Sequence, residues 1–294
     1  MKIHPIAFSV VLSMTALNAL AAQSNLPGRT VDVKAGEYFI QAPDTIPAGL
    51  TTFRLTQVGD IATRREQVLR ENLAPASPTN DPTRAFHMVW VVRLDSGHTV
   101  KEWYAAELEG KRPAWVVNLG GPASTDPPHT TNATMRLGPG NYALVCYIGS
   151  ARQDLNRHHV RKGMFRALTV AAGDTTSPAV RSDVVAVITG EGLITLSGAI
   201  RAGTQTIKVV NETSKAHEFT VAKLGAGRTA QEALTWTRRE GTTHPFTPRG
   251  GFSDVPSGAT LWTTIAFEPG SYVLWTARTP ATSASVIIPP SSSP

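Results

Sequence analysis

The stretch PGNYALVCYIGSARQDLNRHHVRKGMFRALTV, residues 139–170, decides the fold and carries the candidate chemistry. Its first two residues, Pro139 and Gly140, predict a turn that starts a strand. Apolar side chains then alternate along residues 141–148, which predicts a β-strand with one apolar face. The strand contains Cys146, and a polar loop after it leads to a second predicted strand.

Three kinds of soft or imidazole donor are brought together by this loop. Cys146 supplies a thiol, His158 and His159 supply imidazoles, and Met164 supplies a thioether. Sulfur ligands combined with imidazole select copper over hard cations. Cys146 is the only cysteine of the chain, so it is a metal ligand, a small apolar core residue, or a reactive or intermolecular thiol.

The amino terminus predicts export. Lys2 gives a positive start, residues 6–17 are mostly apolar, and residues 19–21 form a small-x-small cleavage site. We therefore expect residues 1–22 to be a signal peptide and the mature protein to be periplasmic or secreted. The apolar run is too short to span a bilayer stably, and no later stretch is long and apolar enough.

Composition predicts an all-β protein. The 294 residues, of which 41% are hydrophobic, are enough for two cored domains, and 24 glycines with 21 prolines indicate many turns. The formal net charge of +6 favours an acidic partner or a solubilising basic surface. Basic residues are spread along the chain without a dense cluster, so nucleic acid is not expected.

The chain contains the same sequence pattern twice. Residues 86–94 align with residues 216–224, an offset of 130. At the same offset Thr99, Glu102, Pro139, Gly140, Tyr142 and Leu144 meet Thr229, Glu232, Pro269, Gly270, Tyr272 and Leu274. Such gapless matching predicts two copies of one fold.

Upstream the offset becomes 154, because residues 39–55 align with residues 193–209. The first copy therefore carries about 24 extra residues (154 minus 130), an insert near residues 61–84. We expect a first domain at residues 23–172, a linker at 173–182 and a second domain at 183–290.

Each copy is predicted to contain many short strands, as in a sandwich or barrel. Each copy is also predicted to contain a short helix, which begins at a Thr-x-x-Glu capping box, at Thr99 in the first copy and at Thr229 in the second. Two N-x-T sequons, at Asn132 and Asn211, fall in predicted strand or turn regions and are of a kind common by chance. For the first copy the strands are expected at residues 30–41, 50–58, 87–94, 130–137, 141–148 and 165–170.

At these motifs the chain resembles the cupredoxins, the plastocyanin-like blue copper family. The second copy has the opening motif Asn211-x5-His217, and the first has the closing motif Pro139-Gly140-x-Tyr142-x3-Cys146 followed by histidine and methionine. The resemblance implies two tandem Greek-key β-sandwiches. It also implies one copper ion in the first domain, held by His87, Cys146, His159 (or His158) and Met164.

The resemblance implies one-electron transfer with a redox partner rather than catalysis, and we predict that the chain is not an enzyme. The second copy keeps His217 but has Thr276 where the first has Cys146, so it is expected to bind no copper. One alternative is a metal-free structural or interaction module, in which Cys146 and Met164 are core residues. A further alternative is copper storage or delivery.

Overall fold

The computed structural model describes residues 26–36, 38–58, 87–124, 129–148, 158–176, 179–235, 245–276 and 282–289. The described chain is built from short strands and two short helices. The first copy contains β1 (Arg29–Gly36), β2 (Phe39–Gln41), β3 (Thr45–Pro47), β4 (Gly49–Gln57), β5 (Trp90–Leu94), α1 (Val100–Leu108), β6 (Val116–Asn118), β7 (Gly121–Pro122), β8 (Thr130–Leu137), β9 (Gly140–Val145) and β10 (Phe165–Ala171). The second contains β11 (Val184–Thr189), β12 (Leu193–Ser197), β13 (Gly203–Asn211), β14 (His217–Leu224), α2 (Ala230–Thr235), β15 (Phe246–Val255), β16 (Thr260–Phe267), β17 (Gly270–Trp275) and β18 (Ser283–Ile288).

The strands form one long sheet shared by both copies and two shorter sheets. The long sheet has eight strands in the order β12-β11-β13-β16-β8-β4-β1-β2. The first copy also forms the sheet β3-β10-β9-β5-β6, and the second forms β18-β17-β14-β15, which β7 of the first copy extends. Apolar residues from all three sheets belong to one buried cluster.

Both copies have the same connectivity. In the first, β1 runs parallel to β4 and β4 pairs with β8; in the second, β11 runs parallel to β13 and β13 pairs with β16. In each copy the chain passes several times between two facing sheets, as expected of a β-sandwich. The all-β class and the two tandem β-sandwiches predicted from the sequence are confirmed.

The two copies meet where β8 and β16 pair through Thr134 and Trp262. Beside this pair the Asn132 amide donates to the Thr264 carbonyl at 2.7 Å and accepts from its N–H at 2.8 Å. Trp262 and Thr264 are the repeat counterparts of Asn132 and Thr134 at the offset of 130. The contact between β8 and β16, called the join below, is therefore two-fold symmetric. Asn132 is only 7% exposed, which removes its sequon from consideration as a glycosylation site.

The two helices lie on the outer faces of the shorter sheets. Thr99 and Glu102 form the predicted capping box, with the Thr99 N–H donating to the carboxylate and the Glu102 N–H donating to the hydroxyl. Thr229 and Glu232 make the same two bonds. Under α1 lies a second small core of Val92, Leu94, Trp103, Ala143, Val145 and Val160.

Strand boundaries differ from the prediction at three places. The expected strand at 30–41 is two strands, because the chain turns between β1 and β2. The expected strand at 87–94 begins only at Trp90, and the strand at 141–148 ends at Val145. Cys146 therefore lies just beyond its strand.

The predicted signal peptide and the insert at 61–84 lie outside the described residues. None of the described helices has the length and apolar character needed to cross a membrane.

Candidate metal centre

Cys146 follows directly after β9, on the face that points into the core. Its side chain is fully buried. Its N–H donates to the Met164 carbonyl at 3.1 Å, which joins the end of β9 to the start of β10. The alternation that puts Tyr142 and Leu144 into the core therefore also carries the sulfur there.

His159 begins a short 3-10 helix, His159–Lys162, that closes the loop after Cys146. The His159 N–H donates to the Ile148 carbonyl at 2.8 Å, and the His159 carbonyl accepts from the Met164 N–H at 3.0 Å. His159 lies thirteen positions after Cys146, but the hydrogen bond to Ile148 joins the two ends of the loop between them. Ile148 and His159 therefore lie side by side, although they are far apart in sequence.

Helix α1 holds this 3-10 helix in place. Val160 is fully buried in the small core beneath α1. The Arg161 guanidinium donates to the Glu107 carbonyl at 2.7 Å, and the Tyr104 hydroxyl lies 3.4 Å from the Arg161 carbonyl. Because Val160 and Arg161 are fixed, the neighbouring His159 is fixed as well.

His87 lies three residues before β5, which is the neighbour of β9 in the same sheet. Its carbonyl accepts a hydrogen bond of 2.6 Å from the side-chain amide of Gln57, at the end of β4. Gln57 is itself 5% exposed, so this bond ties the His87 segment to the facing sheet inside the protein.

The structure brings His87, Cys146 and His159 together. The Cys146 Sγ lies 3.9 Å from Nδ1 of His87 and 3.7 Å from Nδ1 of His159. All three ligand atoms lie within 4.8 Å of one another, and the three side chains are at most 1% exposed.

These separations fit one bound metal ion. Bond lengths of about 2.3 Å to sulfur and 2.0–2.1 Å to imidazole nitrogen, at angles between tetrahedral and trigonal, separate the two donors by about 3.6–3.8 Å. The observed sulfur–nitrogen distances of 3.7 and 3.9 Å lie within or close to that spacing. The cluster could therefore hold a single ion between one thiolate and two imidazoles.

The two candidate ligand histidines of the loop, His158 and His159, have different partners and different exposure. The His158 ring places Nδ1 2.8 Å from the Tyr147 carbonyl and stays half-exposed, whereas His159 turns inward to Cys146. Met164 is fully buried, and its backbone bonds to both Cys146 and His159. Its thioether remains the predicted fourth ligand.

The surroundings of the site are apolar and weakly charged. Tyr147, next to Cys146, packs edge-on against Trp90 with ring centroids 5.5 Å apart. Burial, with a smaller contribution from the Glu107 carboxylate, raises the pKa of Tyr147 far above its usual range, so its phenol stays neutral. Burial also raises the pKa of Glu107, although the nearby Arg112 and Arg161 oppose this.

Within the residues that the structure describes, the second copy has the same framework without a group of side chains that could hold a metal ion. His217, the counterpart of His87, places Nε2 3.0 Å from the Thr213 hydroxyl. Thr276, the counterpart of Cys146, donates its hydroxyl to the Gly192 carbonyl. A threonine hydroxyl used in this way supplies no thiolate, so this position of the second copy offers no soft ligand.

One residue of the site was missed by the sequence-based prediction. Tyr38, between β1 and β2, lies edge-on to the His159 ring with centroids 5.3 Å apart. Lys162 sits over the Tyr38 ring and lies 3.2 Å from its hydroxyl. The alignment offset of 154 pairs Tyr38 with Gly192. This difference between the two copies is the sequence signal that could have identified Tyr38 as a residue of the site.

No protein-family model matches the chain, and no curated protein matches it. Solved structures to which it is similar include reduced auracyanin from the photosynthetic bacterium Roseiflexus castenholzii, at 14% identity over 49% of this chain and 98% of that one, with a TM-score of 0.25. The blue copper oxidase from Nitrosomonas europaea is 10% identical over 89% and 85%, with a TM-score of 0.21. Rusticyanin from Thiobacillus ferrooxidans is 16% identical over 36% and 75%, with a TM-score of 0.22.

The resemblance of the chain to the cupredoxins is one of fold. At these identities and TM-scores the similarities do not indicate what this chain binds or does, which has to be inferred from its own residues. Because the similar structures include oxidases, they do not confirm the prediction that the chain is not an enzyme.

Proposed function

We propose that this protein binds one copper ion in its first copy and uses it for one-electron transfer. The observation that carries the proposal is the buried trio itself, with Cys146 Sγ 3.9 Å from Nδ1 of His87 and 3.7 Å from Nδ1 of His159. One thiolate and two imidazoles with a weak thioether are the ligand set of copper electron-transfer sites.

The donor set favours copper over zinc. Structural zinc sites are four-coordinate, with cysteine, histidine or carboxylate at every position. Here three strong donors converge, and the predicted fourth, Met164, offers a soft thioether, a weak ligand that suits copper. Full burial of Met164 keeps that position apolar.

Burial of the donors supports electron transfer rather than catalysis. His87 and Cys146 are 0% exposed and His159 is 1% exposed, so a substrate has no route to a vacant ligand position. Bound copper would supply a one-electron Cu(I)/Cu(II) couple. The protein's part is to hold the ligands still through Gln57 and the bonds to Ile148 and Met164, which limits rearrangement between the two oxidation states.

The proposal extends to the organisation of the chain. Domains at residues 23–172 and 183–290, joined by a linker at 173–182, place the copper in the first domain and leave the second as a metal-free partner. Export to the periplasm or medium, directed by residues 1–22, remains part of the proposal.

A redox partner with an acidic surface fits the charge beside the site. Arg161 and Lys162 lie half-exposed on the same 3-10 helix as His159, and the exposed Arg112 lies near Arg161. Cations so close to a ligand would orient an anionic partner toward the copper and speed its association at low salt.

The test is copper loading of the purified mature protein under reducing conditions, followed by oxidation and a visible spectrum. We expect one copper per chain and an intense sulfur-to-copper absorption band. Cys146→Ser should abolish the band, whereas His217→Ala, the matched change in the second copy, should leave it intact. Failure of the wild-type protein to take up copper in either oxidation state would refute copper binding, and with it the proposal.

The alternatives give different results in the same experiment. Copper storage or delivery would give Cu(I) uptake without a coloured Cu(II) form. A metal-free module would give no uptake, with Cys146 and Met164 serving only as core residues. Each of these results would contradict electron transfer.

A further inference from the structure

Tyr38 occupies an unusual backbone conformation beside the candidate metal centre. Its φ is +62°, and Ser96 is the only other non-glycine residue with positive φ in the described part of the chain. The left-handed region disfavours a bulky side chain, and such conformations tend to persist where the surroundings require them.

The second copy shows what position 38 faces. Its counterpart, Gly192, also has positive φ, at +103°. A Cβ atom built on Gly192 would lie 2.6 Å from the Thr276 hydroxyl oxygen and 3.2 Å from the nearest atoms of the His217 ring. Thr276 and His217 correspond to Cys146 and His87, so in the second copy this turn faces the position equivalent to the candidate metal site.

In the first copy a side chain is present where the second copy admits none. The Tyr38 ring meets the His159 ring edge-on, at 5.3 Å and an interplanar angle of 89°. The Nζ of Lys162, from the same 3-10 helix as His159, lies 5.0 Å from the centroid of the ring and 3.2 Å from the hydroxyl. Tyr38 therefore bridges the β1–β2 turn to the helix that carries a predicted ligand.

We infer that Tyr38 is a positioning residue that closes the metal site, keeping small molecules away from Cys146 and fixing the His159 ring. The ring edge provides the closure, and the contact with Lys162 holds the ring over the site. The second copy, which has no thiol to protect, has glycine instead. The meaning of this closure for copper rests on the proposed function, but the closure itself is a property of the metal-free protein.

The first test uses the metal-free protein and the rate at which iodoacetamide alkylates Cys146, the only cysteine. Tyr38→Gly, which removes the ring and suits the positive φ, should raise that rate by about 10-fold or more, since a local opening exposes the thiol. Tyr38→Phe keeps the ring and should stay within about 3-fold of wild type. Ser96→Gly relieves the other positive φ and should leave the rate unchanged.

The urea midpoint of each variant separates closure from general loss of stability. A faster alkylation of Tyr38→Gly at an unchanged midpoint supports the inference. An alkylation rate within about 2-fold of wild type overturns it, because the thiol would then be shielded without Tyr38. If Tyr38→Gly does not fold, Tyr38→Asn replaces it, because asparagine tolerates this backbone region.

A second test uses the copper-loaded protein and azide as a small external ligand. Tyr38→Gly should bind azide at least about 10-fold more tightly than wild type or Tyr38→Phe, with a new absorption band. Equal azide affinity in all three proteins overturns the inference while leaving copper binding intact. Absence of copper binding refutes the proposed function instead, and the alkylation rates then decide the role of Tyr38.

Discussion

Replacement of Asn132 by alanine should weaken the join between the two copies by a predictable amount. The Asn132 amide makes two hydrogen bonds to the backbone of Thr264, at 2.7 and 2.8 Å, and both residues are less than 9% exposed. Truncation leaves the Thr264 N–H and carbonyl without these partners. Since an unsatisfied buried polar group costs about 1–3 kcal/mol and two groups lose their partners, we expect Asn132→Ala to lose about 2–6 kcal/mol of unfolding free energy.

The assay is urea unfolding of the metal-free, reduced protein, followed by tryptophan fluorescence and far-UV circular dichroism. With an m-value of about 3 kcal/mol/M, the urea midpoint should fall by roughly 1–2 M. Asn141→Ala is the matched control, because the Asn141 amide makes one bond of 3.0 Å to the His98 carbonyl in a half-buried place. That variant should lose about 1 kcal/mol. Equal losses in the two variants, or a loss below about 0.5 kcal/mol in Asn132→Ala, would contradict the reasoning.

Three further predictions follow from the contacts around the site and the join. Thr99→Ala and Thr229→Ala should each lose about 1 kcal/mol of unfolding free energy, because each removes a helix cap. Only Thr99→Ala should increase the rate of copper loss, because only its helix packs on the His159 segment. His159→Ala should lower copper affinity by at least about 10- to 100-fold in a competition titration, and His158→Ala should leave it within about 3-fold; equal losses would refute the ligand assignment. Burial raises the pKa of Asp254, so the folded state disfavours its charged form. The protein is therefore more stable when Asp254 is protonated, and this stability is lost as the pH rises through the raised pKa. Asp254→Asn should therefore be more stable than wild type at pH 7, with the gap closing below the ordinary pKa of 3.8, as measured by urea midpoints at both pH values.

The repeated fold could be predicted from the sequence because its signals are local and occur twice. The capping boxes at Thr99 and Thr229 predict where the helices start, because their hydrogen bonds join residues only three positions apart in the sequence. The change of offset from 130 to 154 located the insert in the first copy. The symmetric join through Asn132 could not be predicted, because it depends on how two distant strands meet in space.

The candidate site was only partly predictable for the same reason. The ligand types of His87, Cys146 and His159 follow from the motifs, but the twelve residues between Cys146 and His159 hide the proximity that the Ile148–His159 hydrogen bond creates. Tyr38 was missed because its importance lies in a backbone conformation and in a ring contact with a residue more than a hundred positions away.

The most direct test of the copper site is X-ray absorption at the copper edge of the loaded wild-type protein. We predict one short sulfur neighbour at about 2.3 Å or less and two imidazole nitrogens at about 2.0 Å, with the sulfur lost in Cys146→Ser. Copper surrounded only by nitrogen and oxygen, with the same spectrum in Cys146→Ser, would place the metal on other histidines. That result would contradict a site built from His87, Cys146 and His159.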